Sequence, residues 1–409
     1  MPSTTRAILS NLGILLAAGY CEGKLPLFVL GSGISADRVP LLSEMAEDLI
    51  RRIEHSDLEK KPKDILLAKG TLIQRESATR SDAAQFFSAL QTRDLQAGPS
   101  NVWKQFCEQL VDKGLTLPSR QFVGILRHER PTANAKGAWI GPSAAHDAVA
   151  SLSSQAACHI LNLNYDALLY LAMSNLRKKG DPSSRALHLI ALHSVRDIRK
   201  YYSSQETDFQ PAVTNARGDI FYVRCANTLC PQCDQDHALD YRYNKLDYDE
   251  LLICPACHLE TLRIQLSFPS YETKEQLLQP VLEELRYFIA SRTSMVIAIG
   301  VSGRWDPYLL EVLFQWTLSY RIPLVDVKPH SNGTSVDFFE QFRRRFFPSI
   351  TTVLTQGSPC YVRCPATADE FFTHFHPLAI NTIRNSDRPL SASRRSRKYM
   401  ELTLPLKEQ

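Results

Sequence analysis

Two cysteine pairs, Cys230-Pro231-Gln232-Cys233 and Cys254-Pro255-Ala256-Cys257, are the residues whose type and spacing point most directly to chemistry. Each pair turns tightly enough for both thiolates to reach one ion, and two pairs together make a closed tetrahedral set suited to structural Zn2+. Cys225 is a fifth candidate ligand and could replace Cys230. Without a metal the same thiols would be small buried hydrophobes.

A second stretch, Gly31-Ser32-Gly33-Ile34-Ser35, follows the apolar run Leu27-Phe28-Val29-Leu30 and leads into a helical pattern near Leu42. Glycine lets the backbone bend sharply and come close to an anion, and free amides at a helix start favour negative charge. Such a turn can receive the pyrophosphate of a dinucleotide. The third glycine of the usual fingerprint is absent, however, and glycines between strand and helix also serve geometry alone. Asn164 and Asp166 form a third group at the end of the apolar run that starts at Cys158. Open α/β sheets bind ligands beyond the carboxyl ends of their strands, which is where these two residues fall. His146, on the helix before that run, has the chemistry of a ligand or base, but a lone helical histidine is more often a packed, hydrogen-bonded residue.

These groups need elements to hold them. Leu27–Leu30, the run from Cys158, Met295–Ile299 and Pro323–Val327 read as strands buried on both faces, each followed by helical spacing. Thr4–Ala18 reads as an amphipathic helix capped by Ser3 or Thr4, and Leu42–Ile53 as the helix behind the glycine turn. The pattern is an α/β fold with a doubly wound, parallel, Rossmann-like sheet, a helical insertion and a small four-cysteine zinc-ribbon domain. Residues 1–200 form the first part of the nucleotide-binding domain, with the insertion at 54–135. The ribbon spans 215–268, the second part of the sheet domain 269–380, and a basic flexible tail 381–409. The insertion's residues name no chemistry; such a block could cap a cleft or meet a partner.

The net charge of +4 over 409 residues does not argue for a dedicated nucleic-acid binder. Contact with nucleic acid or an acidic partner is left to the tail, Arg384–Lys398, whose composition also suits a solvated segment. The apolar start from Ala7 imitates a signal peptide, yet Asn11 and Gly13 interrupt it and Tyr20 is too large for a cleavage site. No apolar run reaches the ~18 residues that span a bilayer, so the expectation is a cytoplasmic protein without membrane contact.

The chain resembles the sirtuin family of NAD-dependent enzymes. Gly31-Ser32-Gly33-Ile34-Ser35 is similar to the family's G-A-G-I-S, Pro142 with His146 to its P-x-x-A-H, and Asn162-Leu163-Asn164-Tyr165-Asp166 to T-Q-N-I-D. Arg217-Gly218 resembles the His-Gly element before the zinc ribbon, eight residues ahead of Cys225. Gly300-Val301-Ser302 resembles G-T-S, and Ala366–Phe372 the start of the final helix.

The resemblance implies that NAD lies with its pyrophosphate on Gly31–Ser35, and that Gly300, Ser302 and Lys328 line the rest of its site. Asn164 would position the ribose or an attacking water, and Asp166 would orient the nicotinamide carboxamide or support the strand. Three departures bear on activity. Arg217 stands at the catalytic histidine's position, and arginine does not give up its proton to act as a base. His193 could substitute but lacks the following glycine. Pro40-Leu41-Leu42-Ser43 replaces P-D-F-R, and Lys328 replaces an asparagine. The first reading is therefore an NAD hydrolase that releases nicotinamide and ADP-ribose, resembling bacterial antiviral-defence proteins and acting with a protein partner or as a homo-oligomer. The alternatives are a degenerate subunit that binds NAD, ADP-ribose or a partner as a scaffold and, third, a protein-lysine deacylase.

Overall fold

The computed structural model describes residues 3–35, 42–56, 58–74, 86, 89, 141–155, 158–164, 166, 168–178, 190–192, 195–203, 212–216, 218–225, 227, 229–231, 236–238, 253–259, 262–266, 278–288, 292–301, 307–329 and 361–385. Strands β1 (Leu25–Leu30), β2 (His159–Asn162), β3 (Ile190–Leu192), β4 (Ala212–Asn215), β8 (Thr293–Ile299), β9 (Leu324–Val327) and β10 (Tyr361–Cys364) form one sheet in the order β10-β9-β8-β1-β2-β4-β3. Every pairing in it is parallel. A second, antiparallel sheet has β5 (Gly218–Cys225) between β6 (Asp236–Ala238) and β7 (Leu262–Leu266).

Alternation along the central strands explains why both faces are covered. Phe28 and Leu30 of β1, with Met295, Ile297 and Ile299 of β8, enter one apolar cluster. Leu27 and Val29, with Val296 and Ala298, enter the other. Both strands therefore read as unbroken apolar runs, the signature of parallel strands between two helical layers. Helices α1 (Ser3–Cys21), α4 (Ala144–Ser154), α5 (Leu168–Lys178) and α9 (Ala368–Asn385) supply residues to the first cluster. The second takes α6 (Val195–Ser203), α7 (Leu278–Phe288) and α8 (Pro307–Tyr320). Phe28 meets Phe372 and Phe375 of α9 at centroid distances of 5.5 and 5.9 Å, so the last helix closes over the strand that begins the sheet.

Two further links fix the layer that carries the site. The Asp369 carboxylate accepts the Ala145 amide of α4 at 2.7 Å, which satisfies an orphan donor at that helix start from a distant element. Thr367 and Glu370 cap α9 reciprocally: Thr367 N–H donates to Glu370 at 2.8 Å, and Glu370 N–H to the Thr367 hydroxyl at 3.2 Å. Helices α2 (Leu42–Glu54) and α3 (Lys60–Gln74) pack on each other after the glycine turn. Most of the rest of the expected insertion lies outside the described residues, as does the basic tail beyond Asn385; residues 381–385, expected as the start of that tail, continue α9.

Candidate functional site

The chain runs from β1 to β2, β3 and β4 on one side, then returns to place β8 on the other side of β1. The carboxyl ends of β1 and β8 thus flank the point where strand order reverses, the position at which open α/β sheets form a ligand crevice. Gly31 follows β1 and Gly300 follows β8. Their loops are joined by hydrogen bonds from Gly31 N–H to Ile299 O (2.9 Å) and from Gly33 N–H to Gly300 O (3.1 Å). Lys328, half-buried at the end of β9, lies beside this seam, since Gly300 N–H donates to Val327 O at 3.2 Å.

The turn itself is a single 3-10 turn over Ser32–Ile34. Ile34 N–H donates to Gly31 O and Ser35 N–H to Ser32 O, each at 3.1 Å. Four of the turn's five amides are therefore spent within the protein, and Ser32, exposed, keeps the remaining one. The glycines have a steric reason of their own. A Cβ on Gly33 would lie 2.5 Å from the Gly300 Cα, so the two loops can touch only because both residues lack side chains.

Asn164, just past β2, is anchored to the same seam: its side-chain Nδ2 donates to Gly31 O at 3.1 Å. Because a carbonyl can only accept, the amide nitrogen must face Gly31, and the Asn164 Oδ1 is left available as an acceptor. A chain of buried amides backs this residue. Asn164 N–H donates to the Asn162 Oδ1 at 3.2 Å, Asn162 Nδ2 donates to the Asn215 Oδ1 at 3.0 Å, and Asn215 Nδ2 donates to the Tyr170 hydroxyl. Neither Asn215 nor Tyr170 is marked by local sequence, because they lie on β4 and α5 and meet Asn162 only when those elements pack.

His146 is almost fully buried and fills a structural role. Its Nδ1 accepts from the Ser143 amide at 3.2 Å and lies 2.9 Å from the Ser143 hydroxyl, completing a capping box at the start of α4. With Nδ1 acting as acceptor, the ring proton sits on Nε2, which donates to the Ser35 hydroxyl at 3.1 Å. Both ring nitrogens are thus engaged, which resolves the ligand-or-packing question for His146 in favour of packing. Ser35 in turn hydrogen-bonds Asp166, whose carboxylate also accepts the Leu168 amide at 3.0 Å. Burial pushes the Asp166 carboxyl above the usual carboxylate range, while the Leu168 amide and Ser35 pull it back. The chain His146–Ser35–Asp166 ties the β1 turn to the β2 turn.

The second candidate centre is a thiol cluster. Cys225, Cys230, Cys254 and Cys257 bring their Sγ atoms within 4.8 Å of one another, three of them buried and Cys257 half-buried. Cys225 Sγ lies 3.8 Å from Cys257 Sγ, and Cys230 Sγ 3.7 Å from Cys254 Sγ. A tetrahedron of Zn–S bonds of about 2.3 Å has edges of about 3.8 Å, which these two pairs match, so the set is suited to one zinc ion. Cys225 therefore stands beside Cys230 in the cluster, where the sequence offers it as a replacement. Strand β5 carries Cys225 to this point through its pairing with Leu262 of β7. Cys233 lies outside the described residues, as do Tyr165, His193, Arg217 and Ser302.

An open, doubly wound α/β sheet with polar residues gathered at its switch point, joined to a small antiparallel sheet with a four-cysteine cluster, is the class of protein these features define. No family model and no curated protein matches the chain. Among solved structures, the crystal structure of a Sir2 homolog–NAD complex is similar over 92% of this chain and 95% of that chain, at 14% sequence identity and a TM-score of 0.43. Among the described residues, no helix is long and apolar enough to cross a membrane.

Proposed function

We propose that the protein binds NAD in the crevice at the ends of β1, β2 and β8 and hydrolyses it to nicotinamide and ADP-ribose. The observation that carries this reading is the anchoring of Asn164. Its amide hydrogens are turned to Gly31 O, and its backbone is held by the buried Asn162–Asn215–Tyr170 chain, which leaves a fixed amide oxygen at the switch point. Cleavage of a nicotinamide–ribose bond develops positive charge on the ribose, and a preorganised acceptor dipole stabilises that charge with little reorganisation. Asn164 Oδ1 would supply this dipole or align a water. Asp166, held by Ser35 and Leu168, would receive the carboxamide of nicotinamide. Ser32, Gly300, Ser302 and Lys328 would meet the phosphates and adenosine ribose. The four-cysteine cluster would bind Zn2+ for structure only, because four thiolates leave no open position.

The engaged amides of Gly31, Gly33, Ile34 and Ser35 favour a second reading, a scaffold in which the turn takes no pyrophosphate. A role in antiviral defence and a partner or oligomer rest on the sequence resemblance, and a cytoplasmic setting on the interrupted apolar start and the lack of a long apolar run in the sequence. Purified protein incubated with NAD separates the readings through nicotinamide release. Release without acyl-peptide, lost in Asn164→Ala, supports hydrolysis. Release only with acyl-peptide supports deacylation, and a protein that binds NAD or a partner without release supports the scaffold. Arg217→Ala is expected to leave hydrolysis equal or raised, since a fixed cation opposes a cationic transition state.

A further inference from the structure

At the amino ends of the central strands, on the edge of the sheet opposite the Gly31–Gly300 seam, lies a cavity of about 330 Å³. Its walls include Gly19, Lys24, Thr293, Ser294, Tyr320 and Arg321. Its size falls at the small end of the roughly 300–1,000 Å³ of ligand pockets.

Helices α1 and α8 both end at this cavity, and they end in the same way. Lys24 N–H donates back to Gly19 O at 2.8 Å, and Ile322 N–H to Thr317 O at 3.2 Å. In this closure the residue before the donor takes a left-handed backbone, with φ of 73° at Gly23 and 51° at Arg321. Glycine is the residue this position favours, and an arginine there carries Cβ strain. The chain therefore carries an arginine at a position where its own twin motif uses glycine, and that residue lines the cavity. A left-handed backbone at a residue other than glycine points to a role for its side chain.

The electrostatics and the polar lining agree. Glu22, the acidic residue of the lining, is paired with Lys24 at 2.8 Å. Among the described walls this leaves Arg321 as the charge not offset by an ion pair. Gly19 lets α1 approach β8 closely, since a Cβ there would lie 2.5 Å from the Ser294 Cβ. The Ser294 hydroxyl is buried and has no hydrogen-bond partner among the described residues, so it is a donor in need of an acceptor.

We propose that this cavity binds a small oxyanion-bearing ligand, through a phosphate or carboxylate group. Arg321 supplies the planar, two-pronged donor set that fits such a group, and Ser294 and Tyr320 supply hydroxyls.

The test uses the full chain with inorganic phosphate as probe, at constant ionic strength, followed by calorimetry and thermal melting. Phosphate should bind the parent and raise its melting temperature. Arg321→Gly should melt at the same or a higher temperature without phosphate, because the backbone strain is gone, yet lose at least about tenfold in phosphate affinity. Ser294→Ala should fold normally and bind severalfold more weakly. Unchanged phosphate binding in Arg321→Gly would place the ion elsewhere, including on the Gly31 turn, and overturn the proposal. No binding to the parent at millimolar phosphate overturns it as well. A lower melting point for Arg321→Gly without phosphate would show that the arginine serves the helix end, which also overturns it.

Discussion

Gly33 and Gly300 stand back to back across the seam of the crevice: a Cβ built on Gly300 would fall 2.3 Å from the Gly33 Cα. Gly300 also has a left-handed backbone, with φ of 62°. Gly300→Ala thus meets two obstacles, overpacking against backbone and an unfavourable φ, and is expected to cost about 2–4 kcal/mol in chemical denaturation. Gly23→Ala is the internal control, because Gly23 has a left-handed φ but open space around it. Its cost should stay near ~1 kcal/mol. Equal costs at the two positions would show that the loops are not in contact.

The thiol cluster is expected to hold one zinc per chain. Cys225→Ser, Cys230→Ser, Cys254→Ser and Cys257→Ser should each release the metal and lower the melting temperature, as should a strong chelator on the parent. Cys225→Ser is the telling variant. Full zinc content in that protein, measured by elemental analysis, together with loss in Cys233→Ser would assign the fourth ligand to Cys233.

The amide chain behind Asn164 offers a different measurement. Asn215→Ala removes the partner of both Asn162 and Tyr170 and should cost about 1–3 kcal/mol through unsatisfied buried groups. If Asn164 is held by this chain, nicotinamide release should fall in kcat more than in KM, and Asn215→Asp should recover part of it by restoring the acceptor for Asn162. Normal kcat in a destabilised Asn215→Ala protein would separate the chain from Asn164's position.

Acid stability should depend on His159. Burial first, and then the Arg292 charge, lower its pKa from the ordinary 6.5 to about 3. The unfolded chain therefore takes up a proton between those values that the folded chain refuses. The stabilisation is complete above pH 6.5 and declines as pH falls toward 3, by up to about 1.4 kcal/mol per pH unit. His159→Gln should flatten this acid limb while leaving the limb above neutrality unchanged. An identical acid limb in the variant would assign the titration to other groups.

Several parts of this architecture are legible from residues alone. Leu27–Leu30 and Met295–Ile299 stand out as doubly buried strands because parallel strands between helical layers bury both of their faces, and the structure contains them within Leu25–Leu30 and Thr293–Ile299. The glycines that follow them are equally plain. Their partner is not. The sequence leaves open whether Gly33 serves an anion or turn geometry, and the structure shows the close approach of Gly300, 267 positions away. Two Cys-x-x-Cys pairs mark a metal site, but the place of Cys225 in it depends on the register of β5 against β7.

The features legible in the chain are local: the buried strands, the glycine turns at their ends, the helix starts and the Cys-x-x-Cys spacing. Each is encoded by dihedral preference or by periodicity among residues a few positions apart, which act before any tertiary contact forms. Long-range packing sets the rest: His146 caps its own helix and holds Ser35 across 111 positions, and Asn164 turns its amide to Gly31 across 133. Those contacts depend on strand order and helix packing. A hydrogen bond between distant segments leaves no spacing in the chain, because its geometry exists only after the sheet has brought the two ends together.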